Sequence, residues 1–352
     1  MQLFFQRLTA TVLCLVCGLA MIEGIRGSDL PAATAVRSVE RLSQKREQDG
    51  HWTLVAVGDI MLSRFVDTTI ERSGDPTFPF LYTKEILQDG DITFANLENP
   101  VAPGKKMPNS GLVFRMDPEM APILRDAGFD VVSLANNHMT DTGIGVVKTT
   151  RDILWDAGIA HTGAGTNETE ARSPAFFTIN GTRIAFLAYG DPRFSNQTHF
   201  ATATSPGIAK ASSALMAEDI TAAKMTADVV IVSLHAGGEY RITPDFTQRT
   251  FAEAAIDGGA DLVLGHHPHV LQPIEIYKGK PIVYSLGNFI FDQSLPETKQ
   301  GVIMRFFFKK NDLLSMAAVP VTIHEFAQPR PANEADAAWI IERLNFGNLP
   351  AY

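Results

Sequence analysis

Cysteine is nearly missing from this chain: there are two in 352 residues, Cys14 and Cys17, and both fall within the first 24 positions. From Gly18 onward neither a disulfide nor a thiolate metal site can form, so the rest of the chain must draw its stability from a packed core. Positive charge is also in short supply. Thirty lysines and arginines against 39 acidic residues leave a net charge of −9, with both signs interspersed. That balance favours solubility and argues against a nucleic-acid binder or a non-specific binder of anionic membranes. Long apolar runs are scarcer still. One stands out, the fifteen charge-free residues from Leu8 to Ile22 that follow Arg7. It is shorter than the ~20 apolar residues a membrane span needs. It fits the h-region of a secretory signal, with Gly18 and Ala20 as a small-x-small cleavage pattern. Residues 1–27 therefore read as a signal peptide or a signal anchor. Cys14, Leu15 and Val16 leave no small residue just ahead of Cys17, which argues against a lipoprotein signal. The expected location is outside the cytoplasm, periplasmic or at the cell surface, with the N-terminal segment either removed or kept as a membrane anchor.

Residues 28–50, ending in "RSVERLSQKREQDG", are polar and charged without a long apolar face and read as a linker. Beyond them the composition is that of an ordinary globular protein. The pattern alternates. "WTLVAVGD", "DITFANLE", "DVVSLANNH", "RIAFLAYGD", "DVVIVSLH" and "DLVLGHH" are short, β-branched-rich apolar runs that end in polar residues. Helical segments lie between them. "DPEMAPILRDAG" has Asp117 as its expected N-cap, and "TPDFTQRTFAEAAIDGG" has Thr243, each followed by proline and closed by glycine. "GIGVVKTTRDILWDAG" and "SSALMAEDITAAKMTA" carry helical spacing as well. Strands alternating with helices predict an α/β domain, and nearly continuous apolar strands predict sheets covered on both faces. "FFTINGTRIAFLAY" and "PIEIYKGKPIVYSLG" predict hairpins, so the sheets should be mixed. The domain is expected over 51–326. The tail 327–352 is expected to hold a terminal helix with Ala338, Ile341 and Leu344 on its packing face.

Histidine is rare too. There are nine, and a third of them fall within four positions in "GHHPH". In α/β proteins chemistry gathers beyond the carboxyl ends of strands. Here those ends carry Asp59, Glu98, Asn136, Asn137, His138, His235, His267 and His269. A single such residue reads as a cap or turn. Five successive strand ends each presenting a carboxylate, carboxamide or imidazole suit a hydrolytic divalent metal centre, and the donor types match zinc, manganese or iron. Side chains two apart share a face of a strand, so His267 and His269 are expected to converge while Pro268 stiffens the turn. His266 is expected to face elsewhere, as a supporting or packing residue.

The ordered blocks "VGDIMLSR", "ANLENPV", "SLANNHMTDTG", "SLHAGGEY" and "GHHPHVLQPIEIYKGKPIVYSLGNFIFD" resemble the CapA family of poly-γ-glutamate capsule synthesis proteins, over roughly Leu54 to Val302. That family is similar in fold to the calcineurin-like metallophosphoesterases. The resemblance implies an α/β two-sheet sandwich flanked by helices, four layers in the order αββα. It implies Asp59 and the bridging carboxylate Glu98 as metal ligands, with Asn137, His235, His267 and His269. It implies His138 as the catalytic histidine with Asp141 as its partner. Two departures bear on the ion count. Met61 stands where the phosphoesterases carry the histidine of their first motif, and Glu98 stands where they carry aspartate, so one ion and two both stay open.

Three further residues are read as substrate contacts: Arg64, whose guanidinium suits a carboxylate or phosphate, Glu239 in "GGEY", and Asn136. Two functions follow. In one, the protein is an extracytoplasmic metal-dependent hydrolase acting on a phosphoester or amide, with poly-γ-glutamate as the anionic polymer substrate. In the other, it is a non-catalytic polymer-binding component of capsule synthesis or export, working beside membrane-bound capsule synthesis proteins.

Overall fold

The computed structural model of the protein describes residues 49–349. The expected signal segment and all of the expected linker before Asp49 lie outside the described residues. In chain order the first elements are β1 (His51–Ile60), α1 (Arg64–Ser73), α2 (Lys84–Gln88), β2 (Ile92–Leu97), α3 (Met120–Ala127), β3 (Val131–Ser133), α4 (Val146–Asp156) and β4 (Ala160–Thr162). The short pieces β5 (Ala164–Gly165) and α5 (Glu168–Ala171) lead to β6 (Ala175–Ile179), β7 (Thr182–Gly190) and β8 (Gly207–Ile208). Then come α6 (Ser213–Lys224), β9 (Val229–His235), α7 (Phe246–Asp257), β10 (Leu262–His266), β11 (Leu271–Tyr277), β12 (Lys280–Leu286) and β13 (Asn288–Ile290). The chain closes with β14 (Gln300–Lys309), β15 (Asp312–His324), β16 (Gln328–Pro331) and α8 (Glu334–Arg343).

One sheet runs β16-β15-β14-β1-β2-β3-β4 and the other β11-β12-β10-β9-β7-β6. Each has a parallel centre, β1 to β4 in the first and β7, β9, β10 and β12 in the second, with antiparallel strands at one or both edges. Both predicted hairpins form. Their turns are Asn180-Gly181 and Lys278-Gly279, with φ of 47°, 79°, 50° and 77°. Two successive left-handed residues make the tight turn whose twist matches the strands it joins.

Alternation along the strands builds the layers. Leu54, Ala56, Ile92 and Phe94 point between the sheets, against Ile184, Phe186, Ile231, Leu264 and Val283. Phe94 and Phe186 stack there with centroids 5.7 Å apart. The intervening Val55, Val57, Ala95, Leu97 and Val132 face outward onto α1 to α4. On the far side Leu187, Val230, Val232 and Val263 meet Met216 and Ile220 of α6 and Ala252 and Ala255 of α7. Both faces of the central strands are therefore buried, and each large apolar side chain so covered contributes about 1.5–3 kcal/mol. The result is the expected helix–sheet–sheet–helix order.

Three expectations are corrected. Asp117 does not cap α3, because its carboxylate is held 2.7 Å from Arg115 Nη1. A tight turn follows, and Glu119 takes the cap position. Asp245, not Thr243, caps α7, in a reciprocal box with Gln248 that satisfies two end groups at once. In the tail, Leu344 enters the layer between the sheets and Ile341 packs against it as expected, but Ala338 is exposed and Ile340 takes its place in the packing stripe. With β16 paired to β15, residues 327–349 are part of the same body. Among the described residues no helix is long and apolar enough to cross a membrane.

One close approach shapes the site end of β1. A Cβ on Gly58 would lie 1.9 Å from the Gly287 carbonyl oxygen, and Gly287 itself is left-handed at φ 67°. Only glycine lets these backbones meet. Their contact lays β13 alongside β1 with Asn288 opposite Asp59.

Candidate metal centre

The carboxyl ends of the parallel strands from both sheets meet at one edge. Asp59 comes from the end of β1, Glu98 from just past β2, and Asn137 and His138 from the loop after β3. His235 is the last residue of β9, His266 is the last of β10, and His267 and His269 follow it. Asp59, Glu98 and His235 are fully buried, and Asn137, His267 and His269 are at most 4% exposed. His235 Nε2 lies 2.8 Å from Asn137 Oδ1 and 3.1 Å from His267 Nδ1. Glu98 Oε1 lies 3.5 Å from His269 Nε2 and 3.9 Å from His235 Nε2. His269 Nδ1 lies 3.4 Å from Asp59 Oδ2. The structure thus brings the six predicted ligand residues into one cluster.

The convergence of His267 and His269 has a different cause from the predicted one. Both lie beyond the strand, with φ of 95° and 58°. Left-handed backbone at residues with a Cβ costs on the order of 1–3 kcal/mol and is held only where the surroundings insist on it. Here the Tyr240 amide donates to the Pro268 carbonyl at 2.8 Å and the Ala236 amide to the His266 carbonyl at 3.1 Å. His266, expected to face elsewhere, stays in the cluster, with Nδ1 3.1 Å from Asp59 Oδ1.

The electrostatics follow from this crowding. Burial, reinforced by the negative charges of Asp59, Glu239 and Asp141, pushes the Glu98 carboxyl well above its usual range. Burial would raise Asp59 too, but hydrogen bonds from His266 and His269 outweigh it and hold Asp59 well below the usual carboxylate range. His235 is driven well below the usual imidazole value by burial and then by the charge of His267. His267 falls to about 3, through burial and then His269. Both rings are therefore neutral near pH 7, the state a metal ligand requires.

These residues fit a divalent cation. Glu98 Oε1 is buried without a hydrogen-bond partner. Two triads of ligand atoms, Glu98–His235–His267 and Asp59–Glu98–His269, each lie within 4.8 Å and share Glu98. Ligand atoms held about 2.1 Å from one ion are roughly 3.0–3.5 Å apart, close to the separations seen here. A third grouping adds the exposed Glu239 to His267 and His269 on the solvent side.

Beside the cluster stands a second unit. His138 Nδ1 is 2.8 Å from Asp141 Oδ2, which also accepts from the Phe114 amide at 2.7 Å. The Phe114 ring stacks on His138 with centroids 4.0 Å apart. Two expected substrate contacts are placed differently. Arg64 forms a two-pronged pair with the buried Asp292, donates to the Gly111 carbonyl at 2.6 Å, and lies over the Phe114 ring. Its guanidinium ties three loops together and is already committed to an anion of the protein. Asn136 is fully buried and spends its Nδ2 on Asn96 Oδ1 and the Leu97 carbonyl, so it joins the ends of β2 and β3.

Sequence reasoning missed Asn96. It shares a strand face with Glu98, two residues on, and its Nδ2 lies 2.9 Å from Asp59 Oδ1, 3.2 Å from Glu98 Oε2 and 3.2 Å from His235 Nδ1. It also missed Asn288, whose Oδ1 is 2.9 Å from His269 Nδ1, and Phe194, whose ring sits 4.5 Å from His267 and 5.6 Å from His235. The period-two spacing in "ANLE" could have flagged Asn96. No local pattern marks Phe194.

Comparison with known proteins bears on this geometry. The family model described as "Bacterial capsule synthesis protein PGA_cap" matches residues 53–293. The chain is 36% identical over 281 residues to the PGA biosynthesis protein CapA of Bacillus subtilis, spanning 79% of this chain and 73% of that protein. It is 33% identical over 315 residues to the capsule biosynthesis protein CapA of Bacillus anthracis, spanning 87% and 76%. Among solved structures, a putative 5'-nucleotidase from Staphylococcus aureus superposes with a TM-score of 0.52 at 14% identity, over 83% of this chain and 58% of that one. That likeness speaks to fold alone, two mixed sheets flanked by helices.

Proposed function

The chain belongs to the bacterial capsule synthesis protein family PGA_cap, and on that premise we propose that it serves capsular poly-γ-glutamate synthesis or export as a metal-dependent hydrolase. The names of its Bacillus relatives support the first half of this reading. The second half is carried by one observation, the aligned His138–Asp141 pair beside a buried cluster of oxygen and imidazole donors. A histidine oriented through Nδ1 leaves Nε2 free for the proton transfer that hydrolysis needs.

Asp59, Glu98, Asn137, His235, His267 and His269 would hold the metal. The two triads that share Glu98 favour two ions over one, and the donor set suits manganese, zinc or iron. A bound divalent ion supplies Lewis acidity and makes water nucleophilic near neutral pH. The chain's own part is separate. Asp141 fixes the His138 ring through Nδ1 and leaves Nε2 to move a proton at the leaving group of a phosphoester or γ-glutamyl amide. Asn96 and Asn136 keep the ends of β2 and β3 in register with Asp59 and His235. Glu239, the one exposed member, is positioned to meet either metal or substrate.

The test is elemental analysis of the purified protein paired with hydrolysis of a model phosphodiester and of poly-γ-glutamate before and after chelation. Bound divalent metal, with turnover lost on chelation and restored by metal, is the expected result. A metal-loaded protein that cleaves neither substrate would leave the polymer-binding alternative. That alternative draws on Met61, which is fully buried in the core at the position where the phosphoesterases carry histidine.

Export is part of the same proposal, supported by the charge-free run from Leu8 to Ile22. An alkaline phosphatase fused after Gly50 should be active in cells. An inactive, stably expressed fusion would place the domain in the cytoplasm.

A further inference from the structure

The block "GNFIFD" stands apart from the metal-ligand set, yet its asparagine reaches the site. We propose that Asn288 is a positioning residue that fixes which nitrogen of His269 carries the hydrogen, and so which nitrogen is free to bind a cation. The inference rests on the reading of His269 as a metal ligand.

Asn288 is fully buried. Its Nδ2 lies 2.9 Å from the Thr298 carbonyl oxygen and 3.0 Å from Gln293 Oε1. A carbonyl oxygen only accepts, so the nitrogen end of the amide must face Thr298. The oxygen end then faces His269 Nδ1, 2.9 Å away. That oxygen also only accepts, so Nδ1 must bear a hydrogen. Asp59 Oδ2, 3.4 Å from the same nitrogen, makes the same demand. In the neutral ring the lone pair is then on Nε2. Nε2 is the nitrogen that lies 3.5 Å from Glu98 Oε1, inside the cluster.

An unconstrained imidazole prefers its hydrogen on Nε2, the arrangement that would block this ligand. Holding the opposite tautomer is therefore work that some neighbour must do, and metal-binding histidines generally have it done by an outer-shell partner. The fold places Asn288 for it. The Gly58–Gly287 approach lays Asn288 opposite Asp59, and a Cβ on Gly301 would lie 2.1 Å from the Asn288 carbonyl oxygen. The direction set at Thr298 continues outward. Because Gln293 Oε1 accepts from Asn288, Gln293 Nε2 donates to the Tyr240 hydroxyl at 3.3 Å. That hydroxyl stands near Glu239, which groups with His267 and His269 on the open side.

The experiment uses the full chain, labelled with 15N-histidine and freed of metal, above pH 7.5. The His269 signal is assigned by its loss in His269→Gln. Wild type should show His269 with hydrogen on Nδ1. Asn288→Leu, of similar volume but without an acceptor, should move it to the Nε2–H form and weaken zinc binding, read by chelator competition, roughly 10–100-fold. Asn288→Asp keeps an acceptor opposite Nδ1 and should keep both the tautomer and wild-type or tighter binding. Wild-type His269 in the Nε2–H form would overturn the proposal, even if the leucine variant does not fold. So would a folded Asn288→Leu with tautomer and affinity unchanged. The tautomer is read without metal or substrate, so a protein that lacks turnover yet shows the shift would count against the hydrolase reading and for this one.

Discussion

His138→Ala should lower the proposed hydrolysis by about 10²–10⁴-fold, the usual range for losing a general acid or base, and should leave metal content at the wild-type level. The two halves of this expectation come from different contacts. His138 meets Asp141 through Nδ1 and Phe114 through its face, and it belongs to neither ligand triad that shares Glu98. Removing it therefore takes away a proton carrier and leaves the donors of the cluster in place. The measurement is single-turnover hydrolysis of a phosphodiester or γ-glutamyl substrate, with metal content determined on the same preparation. Loss of metal together with loss of rate would show that His138 holds the centre together and is not its acid or base. An unchanged rate would show that it takes no part in turnover.

His269→Ala should fail earlier, at metal binding itself. His269 touches two carboxylates, with Nδ1 3.4 Å from Asp59 and Nε2 3.5 Å from Glu98. Its removal strips a nitrogen from one triad and takes a hydrogen-bond donor away from a buried carboxylate. Asp59 then keeps His266, Asn96 and the His267 amide as its remaining partners. Metal content after gel filtration should fall by at least about half, and a wild-type metal content in a folded variant would contradict the assignment. In cells the two variants separate enzyme from binder. If His138→Ala supports normal capsule production and His269→Ala abolishes it, turnover is not the function. If both abolish it, with metal retained only in the first, the protein acts by catalysis.

Much of this was legible in the chain before any fold was seen. The strands announced themselves because both faces of a parallel strand are buried, which turns them into continuous apolar runs such as "DVVIVSLH". The donor set was legible because carboxylates, carboxamides and imidazoles recur where those runs stop. Helix starts were less legible. Asp117 looks like a cap until Arg115 takes its carboxylate, and a competitor two residues away is invisible to a capping rule. The partner of Arg64 was hidden for the same reason on a longer scale. Its partner Asp292 is 228 positions away, and a guanidinium that suits a substrate carboxylate suits a protein carboxylate equally well.

The sequence by itself determined what depends on local spacing: the α/β alternation, both hairpins, the Asn180-Gly181 turn of the first, and the identity of the groups that end each strand. Those features rest on periodicities of two and 3.6 residues and on the φ preferences of single residues, which act over a few positions only. The tertiary structure alone decided how those groups are aimed. It turned His267 and His269 left-handed, drew His266 onto Asp59, occupied Arg64 with Asp292, and set Asn96 and Asn288 against ligands from other strands. Hydrogen bonds and charges act over a few ångströms of space whatever the separation along the chain. Which donor meets which acceptor is therefore settled only when both sheets have closed on their common core.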